Sequence, residues 1–272
     1  MNKKYTTAKG VRIAYLEKNP ETKNTIFFIH GNSLSANCWV KQFQSELLAS
    51  YRLVAFDMPA HGDSDSSNDP DIDYTFAGLA SILTDLVHQL ETGPYILCGV
   101  SLGTNVMAEM ISFGIDPAGM LFAGPCLMGE GIGLNRVALP GADLSVFFSD
   151  EALDEGVINY RNMTSLSEDI NDHQAFLADF KKVKAPFRTK FINSVVTGNM
   201  GDEIKLVNSI SCPLAWVFGA DEKVVDAFYL DDVEVPKWKE QVFRIPGASH
   251  LVNIDQPEAF NKILAEFAGE VF

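Results

Sequence analysis

The sequence has 272 residues, of which 47% are hydrophobic and 21% are charged, a composition typical of a globular protein with room for a sizeable core. Its 21 Lys and Arg residues stand against 36 Asp and Glu residues, which gives a formal net charge of -15. A surface this acidic repels phosphate backbones and anionic lipids, so we expect neither a nucleic acid nor a membrane as a partner.

Cysteine usage and hydropathy indicate the compartment. The four cysteines are widely spaced and form no C-x-x-C pair, which favours free thiols over disulfides or a metal site. The first ten residues are polar, and no apolar run approaches the roughly 18 residues that a membrane span requires. The sequence therefore predicts a cytoplasmic protein without a metal site.

Short apolar runs alternate with helical patterns along most of the chain. The runs cover 11–16, 25–29, 52–56, 95–98, 120–123, 214–218 and 241–245, and apolar residues at helical spacing cover 76–90, 102–113 and 257–267. Runs that are apolar on both faces predict buried parallel strands, and the helices between them predict crossovers. We therefore predict an α/β fold with a doubly wound, mostly parallel sheet, which binds ligands at the carboxyl ends of its strands.

The stretch 125–208 breaks this alternation. It has no clear strand but contains helical segments rich in Phe and Met. An insertion between two strands, at the end of the sheet where ligands bind, predicts a helical cap over the site. The predicted division is a core of 1–124 and 209–272 and a cap of 125–208, and additional core helices are the alternative interpretation.

The pentapeptide GVSLG at 99–103 lies directly between a predicted strand and a predicted helix. G-x-S-x-G in that position is typical of a nucleophile elbow, where a sharp turn exposes a serine hydroxyl beside a helix N-terminus. Ser101 is therefore the candidate nucleophile, and an ordinary glycine-rich turn is the alternative.

A serine hydroxyl needs a general base, and His250 is the best placed of the five histidines. It follows a predicted strand and precedes the last helix, so the order serine, acid, histidine is possible. The loop that begins at His30 follows the second apolar run. In a fold of this kind its backbone and the residue after the nucleophile form the oxyanion hole, which indicates the N–H groups of Asn32 and Leu102.

Four ordered stretches resemble the α/β-hydrolase superfamily across essentially the whole chain. They are HG at 30–31, DMPAHGDS at 57–64, GVSLG at 99–103 and GASH at 247–250. Two residues depart from the usual pattern, since Ala60 stands where a glycine is usual and Thr104 stands where a small residue is usual.

The triad acid has two candidates. In the superfamily, the strand after the cap usually ends at a glycine, and the triad acid stands three residues after that glycine. That glycine is Gly219, so counting favours Glu222, whereas the commoner residue type favours its neighbour Asp221. A glutamate can equally hold the imidazole tautomer and stabilise the imidazolium. The alternative interpretation of Asp221 is a turn residue that caps its loop.

A closer resemblance is to the α/β-hydrolases that open N-acyl homoserine lactones. The similar stretches are 30–33, 148–160, 188–201 and 219–222. This resemblance implies that Glu222 is the acid. It also implies that Tyr160 of the cap points at the polar head of the substrate.

These features together predict a serine hydrolase that cleaves a carboxylic ester or lactone through an acyl-enzyme and needs no cofactor. The expected partner is a small ester or lactone with an apolar acyl part, and an N-acyl homoserine lactone is the specific candidate. The alternatives are a short-chain carboxylesterase, a C–C bond hydrolase with the same triad, and a ligand-binding homologue without activity. The oligomeric state is not predicted.

Overall fold

An eight-stranded sheet forms the centre of the molecule. The computed structural model describes residues 2–151 and 153–272, so Met1 and Ala152 (the latter inside the stretch 148–160) lie outside the described residues. The strands are β1 (Lys4–Ala8), β2 (Val11–Lys18), β3 (Thr25–Ile29), β4 (Arg52–Phe56), β5 (Tyr95–Val100), β6 (Gly119–Ala123), β7 (Leu214–Gly219) and β8 (Phe243–Ile245).

The strand order across the sheet is β1-β2-β4-β3-β5-β6-β7-β8. The pairs β1·β2 and β2·β4 are antiparallel, and all five remaining pairs are parallel. The order reverses between β4 and β5, where β3 lies between them, and this reversal makes the sheet doubly wound. The predicted α/β fold is confirmed.

Alternation along the central strands divides the apolar core into two layers. In β3, Ile26 and Phe28 face one layer, while Phe27 and Ile29 face the other, and all four are fully buried. Successive side chains of a strand point to opposite faces, so a strand that is buried on both sides must be apolar throughout. This is why the central strands appear in the sequence as uninterrupted apolar runs.

Eleven α-helices lie within the described residues. They are α1 (Val40–Gln44), α2 (Pro70–Asp73), α3 (Phe76–Leu90), α4 (Leu102–Met110), α5 (Leu134–Val137), α6 (Asp154–Thr164), α7 (Ile170–Lys182), α8 (Phe187–Val196), α9 (Glu203–Ser209), α10 (Val252–Asp255) and α11 (Pro257–Val271). The predicted helix over 102–113 ends as an α-helix at Met110, and one 3-10 turn continues it to Phe113. None of the helices in the described ranges is both long and apolar enough to cross a bilayer.

Helices α5 to α9 occupy the chain between β6 and β7. Two of them contact the loop His30–Ser35 that follows β3: Asp179 of α7 accepts a hydrogen bond from Ser35 at 2.7 Å, and Arg188 of α8 donates one to Ser33 at 3.1 Å. Because this loop leaves the carboxyl end of a parallel strand, α7 and α8 lie over the end of the sheet where ligands bind. The helix α9 packs instead against α4, through a hydrogen bond between Glu203 and Asn105.

Candidate active site

Ser101 occupies the sharp turn between β5 and α4. Its backbone has φ 53° and ψ -126°, a left-handed conformation that costs a non-glycine residue about 1–3 kcal/mol. A Cβ at Gly103 would lie 2.4 Å from the carbonyl oxygen of Ile29, and one at Gly99 would lie 2.8 Å from that of Gly103. Both neighbouring glycines are therefore required by close backbone approach, as expected of a nucleophile elbow.

The side chains of Ser101, His250 and Glu222 form one chain of hydrogen bonds. The Oγ of Ser101 lies 2.8 Å from Nε2 of His250, and Nδ1 of His250 lies 3.0 Å from Oε2 of Glu222. A carboxylate accepts only, so Nδ1 of the imidazole carries the proton and Nε2 is free to accept one from the serine. The imidazole and the carboxylate are 1% and 2% exposed, so water does not compete for these hydrogen bonds.

The carboxylate of Glu222 is also held from its other side. Its Oε1 accepts hydrogen bonds from the backbone N–H groups of Val224 at 2.9 Å and Lys223 at 3.0 Å. The neighbouring Asp221 is exposed, and its Oδ2 accepts from the backbone N–H of Gly247 at 2.8 Å. His250 therefore donates to Glu222 and not to Asp221, which caps the turn before the histidine loop.

Two buried histidines hold the loop His30–Ser35 in place. Nε2 of His30 accepts the backbone N–H of Met58 at 2.9 Å, and Nε2 of His61 accepts that of Ser33 at 3.2 Å. Burial lowers the pKa of His30 to about 3 and the pKa of His61 well below its ordinary value. Both imidazoles are therefore neutral at physiological pH, and they position the loop as hydrogen-bonding side chains.

The two departures from the superfamily pattern have visible consequences. Ala60 adopts φ 64°, a left-handed conformation in which a glycine would be unstrained. The hydroxyl of Thr104 donates to the carbonyl oxygen of Ser101 at 2.6 Å. The threonine side chain therefore stabilises the turn at Ser101 by a hydrogen bond to its backbone.

A cavity of about 110 Å³ lies beside Ser101. Both candidate oxyanion residues, Asn32 and Leu102, line it together with His250 and Tyr160. The remaining lining is mostly apolar and comes largely from the stretch 125–208 and the loop after β7: Phe76, Asn105, Cys126, Met128, Leu134, Val137, Ala138, Leu144, Phe147, Phe191, Ile192, Val195, Val224 and Val225. The structure therefore brings five sequence-predicted site residues, Asn32, Ser101, Leu102, Tyr160 and His250, to one small, largely apolar space.

Tyr160 is held by aromatic packing. It is 5% exposed and makes an edge-to-face contact with Phe147, with ring centroids 4.7 Å apart. Within the described part of the chain its hydroxyl has no hydrogen-bond partner, although it lines the cavity. Burial raises the pKa of Tyr160, so the phenol is a neutral donor at physiological pH.

Two polar residues that line the cavity, Asn105 and Cys126, belong to no recognisable sequence motif. Asn105 lies one helical turn after Ser101, and its Oδ1 accepts from the thiol of Cys126 at 3.0 Å. The spacing of four residues from the nucleophile was the available signal for Asn105.

No group of three or more His, Cys, Asp or Glu side chains is arranged to hold a metal ion in residues 2–151 and 153–272.

Comparison with known proteins agrees with this geometry. A Bacillus subtilis (strain 168) protein, provisionally named as a 2-succinyl-6-hydroxy-2,4-cyclohexadiene-1-carboxylate synthase, is 24% identical over 274 residues, covering 96% of each chain. Among solved structures, a mutant of the N-acyl homoserine lactonase AidH complexed with N-hexanoyl homoserine lactone superposes with a TM-score of 0.91 at 24% identity, covering 100% of this chain and 98% of that one.

A second structure of AidH, complexed with N-butanoyl homoserine, gives a TM-score of 0.89 at 25% identity over 100% of this chain and 97% of that one. The esterase RhEst1 from Rhodococcus sp. ECU1013 gives 0.78 at 21% identity, covering 100% of both chains. The sequence itself matches the Alpha/beta hydrolase family over residues 26–263. This protein belongs to the alpha/beta hydrolase family and resembles the lactonases of that fold.

Proposed function

We propose that the protein is a serine hydrolase that cleaves carboxylic esters or lactones through an acyl-enzyme, with N-acyl homoserine lactones as its substrate class. The observation that carries the proposal is the hydrogen-bonded chain of Ser101, His250 and Glu222 at the wall of an apolar cavity. A nucleophile, a base in reach of it and a third group that orients the base are together the arrangement of nucleophilic acyl transfer.

Acylation begins when the substrate's carbonyl carbon reaches Ser101. The Oγ forms a bond to that carbon while its proton passes to Nε2 of His250, and Glu222 stabilises the resulting imidazolium. The tetrahedral intermediate then collapses, its C–O bond to the leaving alkoxide breaks, and Nε2 returns the proton to that oxygen. In a lactone the released hydroxyl remains tethered to the acyl group, so the ring opens without losing a fragment.

Deacylation repeats these proton transfers with water. His250 takes a proton from a water molecule, whose oxygen attacks the acyl carbon. The bond from that carbon to Oγ of Ser101 then breaks, and the serine recovers the proton. The products are a free carboxylic acid and the starting enzyme.

Negative charge develops on the substrate's carbonyl oxygen in both steps. We assign its stabilisation to the backbone N–H groups of Asn32 and Leu102, since both residues line the cavity beside Ser101. Leu102 is also the first residue of α4, so the positive end of the helix dipole faces the same point. One such donor contributes about 3–4 kcal/mol to the transition state in comparable sites.

The lining contributed by residues 125–208 supports the proposed substrate class. Residues 125–208, which we propose as the cap, contribute Tyr160 and most of the apolar lining. A buried neutral phenol without a partner in the described protein is suited to donate to a polar head, and the apolar surface is suited to an acyl chain. A lactonase whose structure contains N-hexanoyl homoserine lactone superposes on this chain with a TM-score of 0.91.

A short-chain carboxylesterase is the second candidate, and the size of the cavity favours it. The volume of about 110 Å³ is below the several hundred cubic ångströms that sites for larger ligands occupy. A series of 4-nitrophenyl esters and N-acyl homoserine lactones of increasing chain length separates the two functions. Preference for acetyl and propionyl esters, with no lactone opening, would favour the esterase.

The experiment that tests the proposal measures hydrolysis of both series by the wild type and by Ser101→Ala. We expect the variant to lose about 10⁵-fold in kcat, because the nucleophile and its base act as a unit. Ser112→Ala, at an exposed position outside the site, is the matched control and should keep full activity. Retained turnover in a folded Ser101→Ala protein would rule out the mechanism.

A further inference from the structure

Arg188 is a buried cation without a carboxylate partner. It lies on α8 and is 2% exposed, yet its guanidinium makes no ion pair within 4.0 Å with any carboxylate of the described residues. Its guanidinium donates to the carbonyl oxygens of Phe180 and, at 3.4 Å, Asp150, and its central carbon lies 4.0 Å from the centroid of the Phe180 ring. The carboxylate of Asp150 is nearby but accepts from the backbone N–H of Arg188, at 3.0 Å, so the guanidinium itself is held by neutral acceptors.

The remaining hydrogen bond of Arg188 leads to the candidate site. Its Nε donates to the hydroxyl oxygen of Ser33 at 3.1 Å, and Ser33 donates in turn to Oδ1 of Asn32 at 2.9 Å. The direction of this chain is fixed, because a guanidinium can only donate and the serine proton must then go to another acceptor. The carbonyl oxygen of the Asn32 side chain therefore faces Ser33.

Once Oδ1 of Asn32 faces Ser33, the amide nitrogen faces the other way. Asn32 lines the cavity beside Ser101 and His250, and Nδ2 makes no hydrogen bond within the described residues. An amide NH₂ that is oriented by its own oxygen, on a residue that lines an apolar cavity, is a donor available to a ligand in that cavity.

We propose that Arg188 is a positioning residue that acts through Ser33, so that the side-chain amide of Asn32 binds a second carbonyl oxygen of the substrate. The proposal rests on the function proposed above and deepens it: the preferred ester or lactone carries an amide or ketone carbonyl close to the carbonyl that is attacked. The backbone N–H of Asn32 remains assigned to the oxyanion, and the side chain selects the substrate.

The test compares two lactones that differ in the amide group that carries this second carbonyl. One is N-hexanoyl homoserine lactone, and the other is a γ-butyrolactone with an α-alkyl chain of equal length, in which methylene groups replace the amide. The readout is the ratio of their kcat/KM values in the wild type and in Arg188→Gln. Loss of one neutral hydrogen bond should lower this ratio about five- to tenfold in the variant.

Arg161→Gln is the matched control. Arg161 is another buried arginine of the same insertion, 7% exposed, but it donates to Ser167 and Asn162 and does not line the cavity. Its replacement should leave the ratio unchanged even if it lowers stability. Asn32→Ala, which keeps the backbone N–H, should lower the ratio as Arg188→Gln does, and Arg188→Lys should restore part of it.

The outcomes separate this inference from the proposed function. If the wild type opens lactones and Arg188→Gln lowers kcat/KM equally for both, the side-chain role of Asn32 is contradicted while the serine mechanism stands. An unchanged ratio in Asn32→Ala would contradict the inference in a second, independent way. If the wild type opens neither lactone, the lactone substrate class of the proposed function is contradicted, and the preference for a second carbonyl inferred here is contradicted with it.

Discussion

The two walls of the cavity are built on different principles. The core wall, formed by Asn32, Ser101, Leu102 and His250, carries the groups that we propose to react. Each of these residues lies in a loop that leaves the carboxyl end of a strand or at the start of the helix that follows it. The other wall, formed mainly by Phe147, Tyr160 and Phe191 of the proposed cap and called the cap wall below, is apolar and is held by aromatic packing. The core wall holds its polar atoms at hydrogen-bond distances from one another, and the cap wall determines the shape of the cavity.

This difference shows where chemistry and selectivity reside. On the core wall, backbone hydrogen bonds determine the geometry: Ser101 is anchored by its N–H to Ala123 at 3.0 Å, and Glu222 is held by the N–H groups that follow it. On the cap wall, side chains determine the geometry, and one substitution changes the shape of the cavity without moving the reacting atoms. We therefore expect variants of Ser101, His250 and Glu222 to lower kcat for every substrate. Variants of the cap wall, and of the Asn32 side chain, should alter the preference among substrates.

The largest effect should come from the acid behind His250. Glu222→Gln replaces one acceptor oxygen with a donor, so the imidazole loses its orientation and its tautomer. We expect kcat to fall about 10³- to 10⁴-fold for every substrate. Asp221→Asn is the matched control at the neighbouring position, and because it only caps a turn we expect less than about a twofold change. The reverse ranking in steady-state kinetics would transfer the role of the acid to Asp221.

A smaller and more selective effect should come from the cap wall. Tyr160→Phe keeps the ring that packs against Phe147 and removes only the unpartnered hydroxyl. We expect kcat/KM for N-acyl homoserine lactones to fall about tenfold, the effect of one hydrogen bond, with little change for 4-nitrophenyl esters. Tyr95→Phe, at the start of β5, removes another buried hydroxyl away from the site and is the control. Equal lactone kinetics in both variants would leave Tyr160 with a packing role only.

The smallest effect concerns stability where the two walls join. Glu203 of α9 is fully buried: Oε2 accepts from Asn105 and from the N–H of Met128, both at 2.8 Å, and Oε1 has no partner among the described residues. Burial raises the pKa of Glu203 from 4.5 to about 8. Between these pH values the unfolded chain is ionised while the folded protein keeps the proton, so stability falls as pH rises and levels off above 8.

Glu203→Gln removes this ionisation and should flatten the pH dependence. Relative to the wild type, the free energy of unfolding of the variant should rise between pH 5 and pH 8 by at most about 1.4 kcal/mol per pH unit. Urea unfolding at several pH values measures this difference, and the exposed Glu130→Gln is the control. A constant difference between variant and wild type across this range would show that Glu203 is ionised in the folded state throughout.

Sequence reasoning succeeded where local chemistry determines structure. The central strands are buried on both faces and must be apolar, so runs such as 25–29 and 52–56 were predicted with their observed bounds. It missed β1, because the edge strand Lys4–Ala8 is mostly exposed and therefore polar. The signal that was available is the turn at Lys9 and Gly10, both with positive φ, which is typical of a two-residue hairpin.

The same distinction between local and long-range determinants applies to the candidate site. Ser101, His250 and the loop of Asn32 follow motifs that a strand, a turn and a helix impose on the sequence, so their meeting could be predicted. The chain from Arg188 through Ser33 to Asn32 could not, since it joins residues 155 positions apart through side chains alone. Long-range packing of this kind leaves no periodicity and no motif, and only the folded structure reveals it.

The claim that Ser101 is the nucleophile is tested most directly by covalent labelling. A fluorophosphonate should add once to the wild-type protein, and peptide mass spectrometry should place the adduct on Ser101, because that hydroxyl is the one paired with His250 at 2.8 Å. We expect no adduct on Ser101→Ala and slow labelling of His250→Ala. An adduct on another residue, or undiminished ester hydrolysis by the wild type after complete treatment with no adduct on Ser101, would contradict it.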